Sequence, residues 1–297
     1  MAALLYAREN KPVDCEAIRQ CHTMMKQNTG VFSAFRGDMA LCVAALLSLS
    51  PDPQGLFGET LRVYDLLKGA KLRASDHLVV AAYQIAAQAD PAAYQNTVNR
   101  TRAFYDGMKA HHFFYTGQDD YIFAAMLGLS DLDVTLETER IERLHSRLIG
   151  EFWDKNSVQA LAQVLVLGHP DDAADRVLAL RDAFRAQNIK MDKSYILPAL
   201  GLLALLPVEM DTLVQEIGEA RDYLRAQKGF GSLSVATQEL LQYAAAIIAD
   251  EYAQSAKNGV LTAALSTGIA NIIIAQQAAM IAMISAYAAV AASSSSS

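Results

Sequence analysis

Apolar runs that end in a turn signal alternate along the chain with amphipathic runs. The alternation repeats about every forty residues, a period typical of two-helix repeats. Turn signals such as Pro51-Asp52-Pro53 separate the runs. The pattern predicts six helical hairpins of roughly forty residues each. The apolar runs occupy residues 39–52, 78–90, 121–131, 158–171, 195–207 and 240–250.

The spacing within the runs is typical of helices and not of strands. Ile141 and Leu148 fall on one face of a helix, whereas Arg143 and Arg147 fall on the opposite face, so this amphipathic run is expected at the surface. Residues 200–206 are apolar nearly all round and are expected in the core. Because no run convincingly alternates apolar and polar residues, the sequence predicts an all-α fold with little or no sheet.

Six such hairpins can be arranged in two ways. They stack into an open solenoid whose concave face binds a protein or peptide, or they close into an α/α ring around a central cavity. The units match neither the tetratricopeptide nor the ankyrin consensus, so the sequence leaves both arrangements open.

Polar residues stand at or just before the start of each predicted inner helix, and in a closed ring they would share one rim. Carboxylates and a histidine at the mouth of a cavity can do acid–base chemistry. The competing interpretation, which is favoured, is that these residues cap helix N-termini by accepting hydrogen bonds from free backbone N–H groups. The candidate catalytic residues are Asp38, His77, Asp119 and Asp120, and the candidate binding residues are Arg36 and Lys193.

Composition narrows the classes of partner and cofactor. The chain has 297 residues and a formal net charge of −7, so nucleic acid is not an expected partner. Its three cysteines are an odd count, which favours the reducing cytoplasm, and the N-terminus lacks the features of a secretory signal. Cys15 and Cys21 beside His22 lack metal-site spacing, so no metal is expected. No cofactor is expected, because phosphate-binding and dinucleotide motifs are absent from the sequence.

The C-terminal tail carries no charged residue after Lys257. We therefore predict a helical-repeat domain over 1–257 and an Ala/Ser-rich tail over 258–297 that is helical to about residue 291. The favoured interpretation is that the tail is buried against the repeats, because terminal repeats need a cover. The alternatives are association with other copies through small residues, or association with the inner face of the membrane. Polar residues such as Asn271 and Gln277 interrupt any stretch long enough to span a bilayer, so the membrane is not favoured.

Four parts of the chain carry a family resemblance: residues 27–37, 205–208 together with 211–214, 227–231, and 275–280 with the Ala and Ser ending that follows. They resemble a bacterial family catalogued as domain of unknown function 4003, and the likeness covers nearly the whole chain. Members occur mostly in Firmicutes and have no assigned activity, cofactor or catalytic residue. The resemblance implies one continuous domain with a tail that belongs to the protein, and it transfers no site.

A clear repeat period without catalytic motifs favours a non-catalytic scaffold or interaction protein. Its partner is expected to be a protein or another copy of the chain, bound through the tail. The alternative is an enzyme with a closed α/α ring and a polar rim site at the starts of the inner helices. An exposed apolar or aromatic patch on one face would support the first class.

Overall fold

A computed structural model of the chain describes residues 2–111, 115–168, 172–232, 234–255 and 274. These residues form thirteen α-helices and two short 3-10 helices, and they contain no strand. The predicted all-helical class is therefore confirmed. The 3-10 helices are Ala34–Arg36 and Ser194–Ile196. The α-helices are α1 (Ala2–Arg8), α2 (Cys15–Gln27), α3 (Ala40–Ser48), α4 (Pro53–Gly69), α5 (Asp76–Gln88), α6 (Tyr94–His111), α7 (Asp120–Leu129), α8 (Val134–Leu148), α9 (Lys155–Leu165), α10 (Ala173–Ala186), α11 (Leu197–Ala204), α12 (Met210–Ala226) and α13 (Thr237–Ser255).

Side-chain oxygens determine where several helices begin. The first backbone N–H groups of a helix have no partner within it, and a polar residue just before the helix accepts hydrogen bonds from them. At α2, Asp14 accepts from the N–H groups of Glu16 and Ala17 at 3.0 and 2.9 Å. The other caps of this kind are Asp52 at α4, Ser75 at α5 and Asp154 at α9.

The helices α4 and α10 end in the same type of C-terminal cap. Lys71 has a positive φ of 65°, and the N–H of the following Leu72 donates back to the carbonyl of Leu67 at 3.2 Å. Asn188 and Ile189 repeat this arrangement at the end of α10. Because Leu72 and Ile189 are both buried, each cap also attaches the departing chain to the core.

Buried and amphipathic helices alternate along the chain. Every residue of α11 is buried, most residues of α3, α5, α7 and α9 are buried, and α13 buries one side that includes Leu240, Ala244 and Ala245. The helices between them bury one face only. In α8 the buried positions are Glu137, Thr138, Ile141, His145 and Leu148. The apolar runs of the sequence therefore supply the core, and the amphipathic runs cover it.

The described helices belong to two compact units, one within Met1–Val134 and one within Thr135–Gln276. In the first unit α4 packs against α5 and α6, and α7 packs against both α5 and α6. Phe35 is fully buried there, with its ring centroid 5.6 Å from that of Phe57 and 5.0 Å from that of Tyr64. In the second unit α11 packs against α9, α10 and α13, and α12 packs against α10 and α13.

The predicted tail over 258–297 lies outside the described residues except for Ile274, which is helical and buried. The division after residue 257 and the helix to about residue 291 therefore stay predictions. Across the described ranges, no helix combines the length and the apolar character that crossing a bilayer requires.

Candidate functional site

Asp119 and Asp120 lie where α7 begins. Asp120 is 4% exposed, and its carboxylate accepts a hydrogen bond from the backbone N–H of Gly117 at 2.8 Å. A side chain added at Gly117 would place its Cβ 2.5 Å from Oδ1 of Asp119. Both carboxylates therefore lie close to the backbone of the turn that leads into the helix. Asp119 stands at the N-cap position but its side chain makes no capping hydrogen bond, so capping is not what this carboxylate does, and Asp120 instead holds the turn before the helix through Gly117.

His77 lies in the first turn of α5 beside Asp76. Nδ1 of His77 is 3.3 Å from Oδ1 of Asp76, and the His77 backbone N–H donates to the same oxygen at 3.1 Å. The side-chain hydrogen bond from His77 is the main cause that lowers the pKa of Asp76. Gly37 lies against this pair, because a Cβ at Gly37 would be 3.1 Å from the Asp76 Cβ. The structure thus brings the segment that contains Asp38, which is exposed, next to His77.

The pairing of Asp76 with His77 predicts a pH-dependent contribution to stability. We expect D76N to lower the free energy of unfolding by about 1 kcal/mol at pH 7. The pKa of Asp76 is lowered in the folded state, so the contribution is full above the unfolded value of about 3.9 and is lost as the pH falls through the folded pKa. Urea unfolding from pH 7 down to pH 3 should therefore show the wild type and D76N converging. In a variant that already carries H77A, D76N should lower the free energy of unfolding by less. If the difference in stability between the wild type and D76N did not narrow on acidification, the pairing of Asp76 with His77 would not be its cause.

Arg36, a predicted binding residue, donates hydrogen bonds to backbone carbonyls at the end of α2. Its Nη2 atom contacts the carbonyl oxygens of Lys26 and Thr29, the second at 2.8 Å. A guanidinium at a helix C-terminus satisfies carbonyls that lack a partner in the helix and interacts favourably with the helix dipole. Arg36 is therefore engaged in holding the chain that follows α2.

Lys193, the other predicted binding residue, is exposed in the chain that leads to α11. The preceding Asp192 accepts two hydrogen bonds from Arg185, at 2.9 and 2.7 Å. This ion pair ties the Lys193 segment to the last turn of α10. Lys193 is thus an exposed cation beside a carboxylate that already has a partner.

Two tyrosines form a buried polar cluster that the sequence did not indicate. The rings of Tyr105 in α6 and Tyr121 in α7 lie 4.9 Å apart, and the Tyr121 hydroxyl accepts a hydrogen bond from the backbone N–H of Arg73 at 3.1 Å. Burial raises the pKa of Tyr105 to about 12. A hydroxyl that stays protonated at neutral pH cannot act as a general base. What the two tyrosines do is structural: their contacts connect α6, α7 and the loop after α4.

Arg100, in the amphipathic helix α6, holds the chain that leaves α7. Its guanidinium donates to three backbone carbonyls, those of Gly128 at 3.2 Å, Ser130 at 2.8 Å and Leu132 at 2.6 Å. We call this arrangement an arginine clamp. It satisfies carbonyls at the end of a buried helix and directs the chain toward α8.

Arg176, in α10, makes the second arginine clamp. It donates to the carbonyls of Ala204 at 2.7 Å, Leu206 at 2.8 Å and Val208 at 2.6 Å, where the chain leaves α11. In both clamps the carbonyls lie 28, 30 and 32 residues after the arginine. The same atoms of the guanidinium make the corresponding bonds, so one local structure occurs in each of the two units.

Within the described ranges, the potential metal ligands and the two buried cysteines do not favour metal binding or thiol chemistry. No group of three or more His, Cys, Asp or Glu side chains there is arranged to hold a metal ion. Cys42 is fully buried, and burial raises its pKa to about 12. Burial also raises the pKa of Cys21. Since the thiolate is the reactive form, neither residue has the properties of a nucleophile at neutral pH.

These features define an all-helical protein in which three of the six predicted site residues, Arg36, His77 and Asp120, form hydrogen bonds near helix ends. The chain belongs to the family described as "Protein of unknown function (DUF4003)", whose model matches residues 1–278. The family predicted from the sequence is thereby confirmed. No curated protein and no solved structure matches the chain. The family match continues past residue 257 into the uncharged tail.

Proposed function

We propose that this protein is a non-catalytic helical-repeat scaffold of the bacterial cytoplasm, built from six hairpins of roughly forty residues. The alternation of buried and amphipathic helices supports a repeated unit. The two arginine clamps support it further, because the same three bonds recur at the same sequence spacing. Consecutive units of this kind stack to bury a shared core, which is the property of solenoid proteins.

The observation that carries the proposed interaction role is a group of three exposed apolar side chains between the end of α2 and the first turn of α3. It consists of Val31, Phe32 and Leu41, which are 73%, 102% and 55% exposed, and we call it the Phe32 patch. Arg36, which lies four residues before α3, bonds to the carbonyls of Lys26 and Thr29, so the chain that leads into α3 stays close to the end of α2. A fully exposed phenylalanine contributes nothing to the core, whereas buried aromatic anchors dominate protein interfaces.

The partner we propose for the Phe32 patch is another protein, with the tail as a second contact for self-association. The three cysteines are free thiols, which suits a reducing compartment such as the cytoplasm. An enzyme with a rim site is the weaker alternative. Asp120 and Arg36 form hydrogen bonds with their own loops, and this leaves His77 with Asp76 as the accessible pair for acid–base chemistry.

The two proposals can be separated with three sets of variants in the native bacterium. We expect the triple variant V31S, F32S and L41S to reduce capture of a crosslinked partner, and binding of that partner once purified, at least tenfold. L136S, which changes another exposed leucine, should bind as the wild type does. The pair H77Q and D119N should also bind normally. If the pair instead abolished complementation of a deletion strain while the triple variant complemented fully, the enzyme alternative would replace the scaffold.

A further inference from the structure

A groove of about 310 Å³ lies in the second unit between α8 and the first turn of α10. Arg140, Arg143 and Arg147 line it from α8. They recur at spacings of three and four residues, so they lie along one face of the helix. Small-molecule sites usually have volumes of about 300–1,000 Å³, so this groove is large enough for a small ligand. We call it the arginine groove.

The three arginines are placed unfavourably for the stability of α8 by itself, because like charges three or four residues apart on a helix repel each other. The carboxylates of α8 that offset this repulsion are not close. Arg140 is 3.7 Å from Glu137, and Arg143 is 3.9 Å from Glu139, both beyond the length of a hydrogen bond. Among the described residues that line the groove, there is no glutamate of α8. The wall that α8 presents is therefore positive.

The opposite wall carries two carboxylates, Asp172 and Asp175, and their position on α10 accounts for them. Asp172 stands at the N-cap position of that helix and Asp175 lies in its first turn, where negative charge interacts favourably with the helix dipole. Asp175 has 75% of its side chain exposed and pairs with Arg147 at 3.1 Å. An exposed ion pair of this kind contributes at most about 1 kcal/mol. A stronger anion can therefore replace Asp175 at Arg147.

A phosphate monoester is the anion that suits these groups. It carries a charge of about −1.5 to −2 at neutral pH, whereas Asp175 carries a single negative charge. The planar guanidinium donates two parallel hydrogen bonds to phosphate oxygens. Residues four apart on a helix have Cβ atoms about 6 Å apart, so Arg143 and Arg147 can bind the same phosphate. Leu144 also lines the groove and is half-buried, which supplies apolar contact for the organic part of a ligand.

We propose that the arginine groove binds a small phosphorylated molecule through Arg143 and Arg147. These two side chains are 66% and 52% exposed, so a ligand reaches them without a rearrangement of the helices. The phosphate takes the place of Asp175 at Arg147. Arg140, which is 16% exposed, adds positive charge to the same wall. This site uses neither the Phe32 patch nor the tail, so it is independent of the proposed scaffold role.

Isothermal titration calorimetry of the full-length protein with glycerol 3-phosphate tests the proposal. In about 0.02 M salt we expect a dissociation constant of about 1 mM or lower, and weaker binding in about 0.5 M salt because screening weakens exposed charge contacts. Glycerol, which lacks the phosphate, should not bind. The double variant R143E/R147E should weaken binding at least about tenfold, because both guanidinium contacts are lost. D175N should tighten binding about threefold, because it removes the competing carboxylate.

Matched controls separate the groove from net charge and from folding. The double variant R19E/R62E also reverses two exposed helical arginines, in the first unit, and should bind as the wild type does. All variants should keep the wild-type circular dichroism spectrum and thermal midpoint. A wild type that does not bind, undiminished binding by R143E/R147E, or binding by D175N that is no tighter than that of the wild type overturns the proposal. A phosphoserine peptide that binds at least about tenfold more tightly than glycerol 3-phosphate would assign the groove to a phosphorylated protein instead.

Discussion

Replacing Arg176 with methionine is expected to lower the free energy of unfolding by about 3 kcal/mol. The guanidinium donates to three carbonyls at the end of α11, all within 2.8 Å. Hydrogen bonds that involve a charged group contribute about 1.5–3 kcal/mol each, and part of the loss is recovered when water reaches the carbonyls. Methionine keeps most of the aliphatic volume, so the change reports on the hydrogen bonds and not on packing.

Urea unfolding followed by far-ultraviolet circular dichroism measures this effect. R100M removes the corresponding clamp in the first unit and should cost a similar amount. R143M removes an exposed arginine whose ion pair is long, at 3.9 Å, and should change the stability by less than about 0.5 kcal/mol. A loss in R176M that is no larger than the loss in R143M would show that the clamp does not stabilise the fold.

Replacing Gly128 with alanine is expected to destabilise the first unit by about 3 kcal/mol. The new Cβ would lie 2.4 Å from Oγ1 of Thr101, 2.9 Å from its backbone nitrogen and 3.1 Å from its Cα. Because two of these atoms belong to the backbone of α6, a rotamer change cannot relieve the clash. The helices α6 and α7 must move apart, and the contact between them forms part of the core of that unit.

The same substitution at Gly58 is the matched control for G128A. Gly58 lies within α4, and a Cβ there would meet no atom within 4 Å. G58A should therefore raise the stability by about 1 kcal/mol, because alanine is the better helix former and loses less backbone entropy on folding. Thermal and urea unfolding of both variants check the opposite signs. If G128A were as stable as G58A, the contact between α6 and α7 would have to be looser than the structure describes.

Sequence reasoning could predict one part of the candidate site, namely that polar residues stand where the helices begin. The favoured interpretation, that polar residues before the inner helices act as caps, agrees with Ser75, whose hydroxyl accepts from the N–H of Leu78 at 3.1 Å. At α9 the cap is Asp154, whose carboxylate accepts from the N–H groups of Asn156 and Ser157. Capping is a local interaction between neighbours in the chain, so a sequence pattern can indicate it, although its exact position depends on backbone geometry.

The arginine clamps, in contrast, left no recognisable signal in the sequence. Arg100 and Arg143 both occur on amphipathic helices and look alike in a sequence pattern. Only the fold shows that the first reaches carbonyls 28 to 32 residues away, whereas the second stays exposed. Phe32 and Phe35 differ in the same way, since one is fully exposed and the other is buried between two rings.

The sequence by itself determined the helical class, the alternation of apolar and amphipathic helices and the membership of the family. The helical class and the alternation depend on hydrophobic periodicity and on helix propensity, which involve only residues close together in the chain. Family membership depends on the order of the residues alone. The tertiary structure alone decided which arginines hold helix ends, which aromatic residues face water and where a groove opens between two helices. Those outcomes depend on packing between residues far apart in the chain, and hydrophobic spacing within one helix carries no information about the neighbour that will cover it.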